Sequence, residues 1–161
     1  MSSAIISDCG LYRYRLEREV QQEGKVFAFF GINPSTADAT LDDATVRKWR
    51  GFTLRNGGRR FIVGNAFAYR STNPKALYHV EDPVGPKNLE HLKSIIAEAD
   101  VLVPCWGGLS KVLKCQQGRL RQVLYMLLAS GKPVLHFGVT SCGQPMHPLM
   151  LGYDTPLTPW S

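Results

Sequence analysis

The amino-acid sequence predicts one α/β domain spanning residues 1–161, three layers deep (α/β/α), with a mostly parallel four-stranded central sheet and an N-terminal hairpin at its edge. Three observations predict it. Four short runs are apolar throughout rather than alternating, as strands covered on both faces are. Helical patterns separate those runs, and strands alternating with helices give a largely parallel sheet with helices on either side. No internal repeat, low-complexity tract or long linker divides the chain.

The elements follow in order. Ala4 to Val20 contains Ile5-Ile6, a turn at Asp8-Cys9-Gly10, then Leu11-Tyr12-Arg13-Tyr14-Arg15-Leu16, whose alternation predicts the edge hairpin. The four apolar runs are Val26 to Ile32, Phe61 to Gly64, Val101 to Cys105 and Pro133 to Phe137. Between the first two, Asp42 to Leu54 places Val46, Trp49 and Phe52 near one helical face and spaces Asp43 and Arg47 as an i,i+4 pair. Asp42 and Asp43 open that helix and fit N-terminal capping better than a carboxylate dyad. Pro86 suits the first turn of a helix carrying Leu89, Leu92, Ile96 and Ala99 on one side. Leu120 to Ser130 forms the third helix, stopped by Gly131 with Pro133 just beyond.

Composition bounds the function. A chain of 161 residues is long enough to bury about two-thirds of the surface its unfolded form exposes. An apolar fraction of 44% with 20% charged residues is ordinary for a globular protein and excludes a disordered one. Nineteen basic against thirteen acidic residues give +6 and a pI near 9.3. That balance points to an anionic partner, nucleic acid foremost; a mildly basic surface without a dedicated ligand is the alternative. Cys9, Cys105, Cys115 and Cys142 form no C-x-x-C pair, so neither a zinc site nor a disulfide framework is expected, and Cys105 reads as a small buried hydrophobe. No cofactor is expected. The N-terminus lacks a basic region followed by an apolar stretch, and no apolar run reaches membrane-spanning length. The expected location is therefore the cytoplasm, with no membrane partner. Nothing in the sequence bears on oligomeric state.

Parallel sheets bind ligands outside the carboxyl ends of their strands, so the segments leaving those ends carry the candidates. The first strand exits into Gly31-Ile32-Asn33-Pro34-Ser35-Thr36-Ala37-Asp38. Glycine allows close backbone approach and Asn33 offers a donor and an acceptor, but an Asn-Pro turn leading to a helix cap needs no ligand. The second exits into Asn65-Ala66-Phe67-Ala68-Tyr69-Arg70. There an amide can read a base edge, an aromatic can stack and an arginine can hold phosphate, or Phe67 is core and Asn65 satisfies backbone. The third exits into Trp106-Gly107-Gly108. The fourth enters a Gly- and Pro-rich loop that delivers His147-Pro148 and the apolar tip Leu149-Met150-Leu151. His147 either acts as a donor, acid or base, or is a surface histidine on a turn whose leucines pack inward. His136 reads as a satisfied core residue, His91 falls on the Pro86 helix, His79 is isolated, and no pair of histidines has metal-ligand spacing.

Five motifs in order resemble the domain of unknown function 1643 family over roughly residues 10 to 160. They are Gly31 to Asp38, Asp42-Asp43-Ala44-Thr45, Asn65 to Arg70, Asp82-Pro83-Val84-Gly85-Pro86 and His147-Pro148-Leu149. Beneath this lies a more distant similarity to the uracil-DNA glycosylase-like superfamily. Gly31-Ile32-Asn33-Pro34 looks like the first motif of the mismatch-specific uracil- and thymine-DNA glycosylases, Asn65 like the asparagine with which several uracil-DNA glycosylases read the base, and His147-Pro148 like the His-Pro of their second motif.

That resemblance implies a uracil-DNA glycosylase-like fold and a base-excising hydrolase whose partner is DNA bearing an altered base flipped into a pocket. Asn33 would position the attacking water and His147 would stabilise the departing base. Gly31, Ile32, Phe30, Asn65 and Phe67 would form the base pocket, Asn65 reading the edge and Phe30 or Phe67 stacking. Arg47, Lys48 and Arg70 would contact phosphates, and Leu149 or Met150 would fill the vacated stack. The chain departs from the pattern in three ways: no aspartate follows the first turn as in the most active uracil-specific enzymes, Leu149 stands where serine or alanine is usual, and the cysteines do not match an iron–sulfur cluster. A module that grips a modified nucleotide without cutting it, or an enzyme of free nucleosides, are the alternative functions.

Overall fold

The computed structural model describes residues 2–161 and is a mixed α/β structure. In chain order the elements are β1 (Ser2–Ile6), β2 (Arg13–Glu19), β3 (Lys25–Gly31), α1 (Ala44–Arg55), β4 (Gly58–Asn65), α2 (Asn88–Glu98), β5 (Val101–Pro104), α3 (Gln117–Ala129), β6 (Leu135–His136) and β7 (Thr158–Pro159). Five strands form one sheet in the order β1-β2-β4-β3-β5.

The sheet is not mostly parallel. β3 pairs in parallel with β4 and β5, whereas β1–β2 and β2–β4 are antiparallel. The reason is that the N-terminal hairpin is not an appendage: β2 lies inside the sheet against β4, and of the hairpin's two strands only β1 is at an edge. The expected fourth central strand is also absent as such. Val134 makes one parallel bridge to Leu102, and Leu135–His136 then pairs with Thr158–Pro159. Pro133 brings no N–H to a ladder and Gly138, at φ 124°, turns the chain away, so little strand remains between them.

Strand periodicity explains the core. On β3, Phe27 and Phe29 join Leu16, Phe61, Val63, Trp49, Phe52 and Phe137 in one cluster. Ala28 and Phe30 point the other way, to Leu92, Ile95, Leu102, Leu120 and Leu127. Thus α1 packs in the first cluster and α2 with α3 in the second. On α1, Val46, Trp49 and Phe52 are buried as their spacing predicts. Its Asp43 caps Val46 N–H at 2.9 Å, and it ends in Asn56 and a left-handed Gly57. Arg47 reaches the Asp42 carbonyl at 3.2 Å, which replaces the expected pairing with Asp43. On α2 the buried face is Asn88, Leu92 and Ile95, while Leu89 faces solvent. Of the expected face, Leu92, Ile96 and Ala99 do turn to the core, and at its start the polar Asn88 goes inward instead of Leu89: Asn88 Nδ2 donates to the carbonyls of Asn65 and Ala66 at 3.0 and 3.3 Å.

β2 carries the most consequential irregularity. Arg15 lies opposite Ile5 but Arg13 lies opposite Ile6, so Tyr14 is an extra residue, a β-bulge. Arg15 reaches Glu98 and Ser94 of α2, and Tyr14 stacks on His91. Beyond the bulge Arg13 turns to the opposite face, where Leu16 and Arg18 already point; its Nη1 donates to the Ala37 carbonyl at 2.9 Å. Arg18, 1% exposed, is the better satisfied of the two. Its Nε holds Asp42 Oδ1 at 2.8 Å, its Nη1 donates to the carbonyls of Glu17 and Ser3, and its Nη2 donates to those of Asp38 and Leu41.

No helix among the described residues is long and apolar enough to cross a membrane. Arg18 ties the 38–42 loop to the sheet through the Asp38 and Leu41 carbonyls and shares Asp42 with Arg50, so Arg18→Met strands several buried carbonyls and leaves Asp42 with Arg50 alone. Urea unfolding is expected to show a loss of about 1–3 kcal/mol, the usual cost of leaving buried acceptors unpaired. A loss under ~1 kcal/mol would refute the anchoring role.

Candidate functional site

The ends of β3, β4 and β5 and the start of β2 meet at one edge of the sheet, and their loops enclose a cavity of about 190 Å³. That is below the range of about 300–1,000 Å³ for drug-sized sites, with room for a planar ring and a small group beside it.

Two loops are laced together first. Asn33 Nδ2 donates to the carbonyls of Pro34, Ser71 and Tyr69 at 3.1, 2.9 and 3.4 Å. The donor side of its amide is therefore spent on joining the β3 exit to the β4 exit, and Oδ1 is the side-chain atom left unengaged. Gly31 pairs with Asn65 across β3 and β4. A Cβ at position 31 would sit 2.9 Å from Asn65 Oδ1, which is why glycine stands there. Asn65 is 3% exposed, and its buried Nδ2 has no hydrogen-bond partner. A buried amide N–H₂ without a partner is costly and rare, and here it belongs to a residue of the cavity lining.

The loop after β5 and the 138–147 loop close the cavity from the other side. Trp106 Nε1 donates to Gln144 Oε1 at 2.9 Å, and Gly107 N–H donates to the Pro145 carbonyl at 2.8 Å. Gly107 adopts φ 82°, and a Cβ there would stand 3.3 Å from the His147 Cβ. His147 Nδ1 accepts from Leu149 N–H at 3.1 Å. With Nδ1 an acceptor, the proton of the neutral ring resides on Nε2, which becomes a donor. Burial, reinforced by the nearby positive charge of Lys111, lowers the His147 pKa to about 4. At neutral pH it is an uncharged donor.

Gly31, Ile32, Asn33, Asn65 and His147, far apart in sequence, line this single cavity. The other expected site residues are elsewhere. Phe30 and Phe67, expected to stack on a base, are buried in the hydrophobic core instead. Each belongs to the sheet's own packing, and the aromatic faces at the cavity are Trp49 and Trp106. Lys48, expected on phosphate, donates to the Leu151 carbonyl at 2.5 Å and lies 4.4 Å from the Tyr153 ring centroid, strapping the C-terminal segment to α1. Arg47 is exposed and Arg70 half-buried, both outside the lining. Leu149 and Met150 are exposed, Met150 at 89%, on a single helical turn directly after His147. His136 is only half-buried, its Nδ1 accepting from Gly138 N–H at 3.0 Å.

The sequence reading missed Arg13, Asp43, Trp49, Trp106 and Lys111 as lining residues. Asp43 was readable as a helix cap and is one, but only Oδ1 is used for it, and the carboxylate also borders the cavity. Trp49 was readable as core and is core on one side. Cys105 is fully buried, its thiol pushed up to about 12 by desolvation, so it is inert. No cluster of three or more His, Cys, Asp or Glu that could hold a metal ion occurs among the described residues.

A family model described as a protein of unknown function (DUF1643) matches residues 13–149. Searches of curated proteins and of solved structures return no match.

The low His147 pKa couples stability to pH. Above about 6.5, folded and unfolded chains both keep the ring neutral; as pH falls from 6.5 toward 4, only the unfolded chain takes up the proton, and stability drops. Denaturant unfolding at about pH 7 and about pH 4.5 is expected to show a larger acid loss for wild type than for His147→Gln, by roughly 1–3 kcal/mol. Equal losses would mean that His147 titrates as it does in water.

Proposed function

This chain belongs to the DUF1643 family, a name that carries no activity, and from its cavity we propose a nucleobase-handling protein that flips an altered base out of DNA and cleaves its glycosidic bond. The fold reading that goes with it is the uracil-DNA glycosylase-like one, with helical layers on both faces of the sheet. One observation carries the proposal: the unpartnered buried amide of Asn65 and the neutral imidazole of His147 border the same ring-sized cavity.

The chemistry follows from those groups. Asn65 Nδ2 donates to a carbonyl on the base edge while Oδ1 accepts a ring N–H, a bidentate reading that removes the amide's desolvation cost. Trp49 and Trp106 provide aromatic surface for the base in place of Phe30 and Phe67. In hydrolysis the bond between C1′ and the base nitrogen breaks, and its electron pair leaves with the base. His147 Nε2–H donates to the oxygen where that negative charge collects; a neutral donor preorganised in a poorly solvated site stabilises such charge strongly. A water then adds at C1′, and its proton passes to the Asp43 carboxylate, the acidic group of the lining. Asn33 contributes through Oδ1 alone and chiefly holds the loops.

In this reading Arg47 and Arg70, outside the cavity lining, meet phosphates, and the exposed Leu149–Met150 tip enters the gap a flipped base leaves. The excess of six positive charges favours such a partner.

The test is alkaline cleavage of oligonucleotides carrying uracil, hypoxanthine or 5-substituted pyrimidines after incubation with the protein. Cleavage of at least one substrate is expected, with His147→Ala slower by roughly 10²–10³-fold. Gly31→Ala, which crowds Asn65, should resemble Asn65→Ala. A panel left wholly intact would falsify the hydrolase reading, and salt-dependent DNA binding persisting in that case would identify a non-cleaving binder.

A further inference from the structure

A pocket for a neutral base has no need of a buried guanidinium, yet Arg13 lines this one at 3% exposure. Its surroundings differ sharply from those of Arg18 on the same strand face. Arg18 uses Nε and both terminal nitrogens, with Asp42 as counter-ion. For Arg13 the hydrogen bonding of the guanidinium is one contact, Nη1 to the Ala37 carbonyl, and its buried Nε has no partner. No carboxylate lies in ion-pair contact with Arg13 among the described residues; Asp43 and Asp38 act on it only at longer range. Desolvation accordingly depresses its pKa to about 10.

Arginine offers five N–H donors in a planar fork matched to phosphate and carboxylate. Most of that capacity is unused here. The β-bulge at Tyr14 is what turns Arg13 onto the cavity side of β2, and bulges of this kind re-aim side chains at sites. The charged lining residues are Arg13 and Lys111 against Asp43, two positive and one negative, which leaves one positive charge. Ser35 and Thr72 line the same space and carry hydroxyls as further donors, whereas the Ser71 hydroxyl is spent on the Asn73 carbonyl.

We infer that the occupant of the cavity is anionic, a nucleotide whose phosphate is bound by Arg13 while its base is read by Asn65. This rests on the base-pocket reading and adds the phosphate to it. The phosphate belongs to a free nucleoside monophosphate or to the backbone of a flipped nucleotide, and the two sources are separable by experiment.

Calorimetric titration of the whole protein uses deoxyuridine, thymidine and deoxyguanosine, their 5′-monophosphates, inorganic phosphate and a short uracil-containing oligonucleotide, all at matched ionic strength. At least one monophosphate is expected to bind on the order of tenfold tighter than its nucleoside, the usual worth of a charge-assisted hydrogen bond. Arg13→Gln should erase that advantage, Arg13→Lys should keep part of it, and Lys93→Gln on the exposed face of α2 should keep all of it. Monophosphate tighter than oligonucleotide assigns a free nucleotide, and the reverse assigns backbone phosphate. Nucleoside and monophosphate binding equally, no probe binding at all, or an advantage that survives Arg13→Gln, each overturns the inference. Should Arg13→Gln fail to fold, the wild-type comparison of nucleoside with monophosphate decides alone. Phosphate binding as tightly as nucleotide would retain the anion site and sink the base pocket; base excision unchanged in Arg13→Gln would do the opposite.

Discussion

The structure depends on buried arginines of one strand gripping the carbonyls of one loop. A guanidinium taken out of water must be given acceptors, and residues 37–42 supply them: Ala37 to Arg13, and Asp38, Leu41 and Asp42 to Arg18. The loop has no regular structure of its own, so its path is set by where those side chains reach. Its last residues launch α1, and with α1 come Asp43, Thr45 and Trp49, three members of the cavity wall. Placement of the site is thus a by-product of satisfying charge in the interior.

The remaining walls are set by the sheet. Three neighbouring strands run the same way and end together, so their exits crowd one edge. Crowding alone would leave them loose. Asn33 laces two of the exits, Trp106 ties the third to Gln144 of the 138–147 loop, and glycines at 31 and 107 remove the side chains that would crowd Asn65 and His147. Each polar group so used is withdrawn from chemistry. What stays free at the cavity is a short set: the Asn65 amide, the His147 Nε2–H, part of the Asp43 carboxylate and most of the Arg13 fork.

Much of this was legible in sequence. Uniformly apolar runs located β3, β4 and β5, capping and spacing located α1, and the strand exits located Asn33, Asn65 and His147. The failures have physical causes. The face read from apolar spacing on α2 holds at Leu92, Ile96 and Ala99 but fails at Leu89, because a polar residue, Asn88, goes inward in its place, drawn by two carbonyls. Stacking was assigned to Phe67 and Phe30 because aromatics beside a strand end look available, but the second core claims both. Arg13 was invisible because an arginine in an alternating strand reads as solvent-facing. Nothing in composition reports a bulge.

That bulge has a wider consequence. Side chains along a strand take sides by odd and even count, and the additional Tyr14 reverses the count between Arg15 and Arg13. Electrostatic character at the sheet edge is therefore encoded in a number of residues as well as in their kinds. Shortening the hairpin arm by one position, with every other amino acid kept, would deliver a different side chain to the interior and move the guanidinium to the opposite surface. In the N-terminal arm, insertions and deletions are chemical changes.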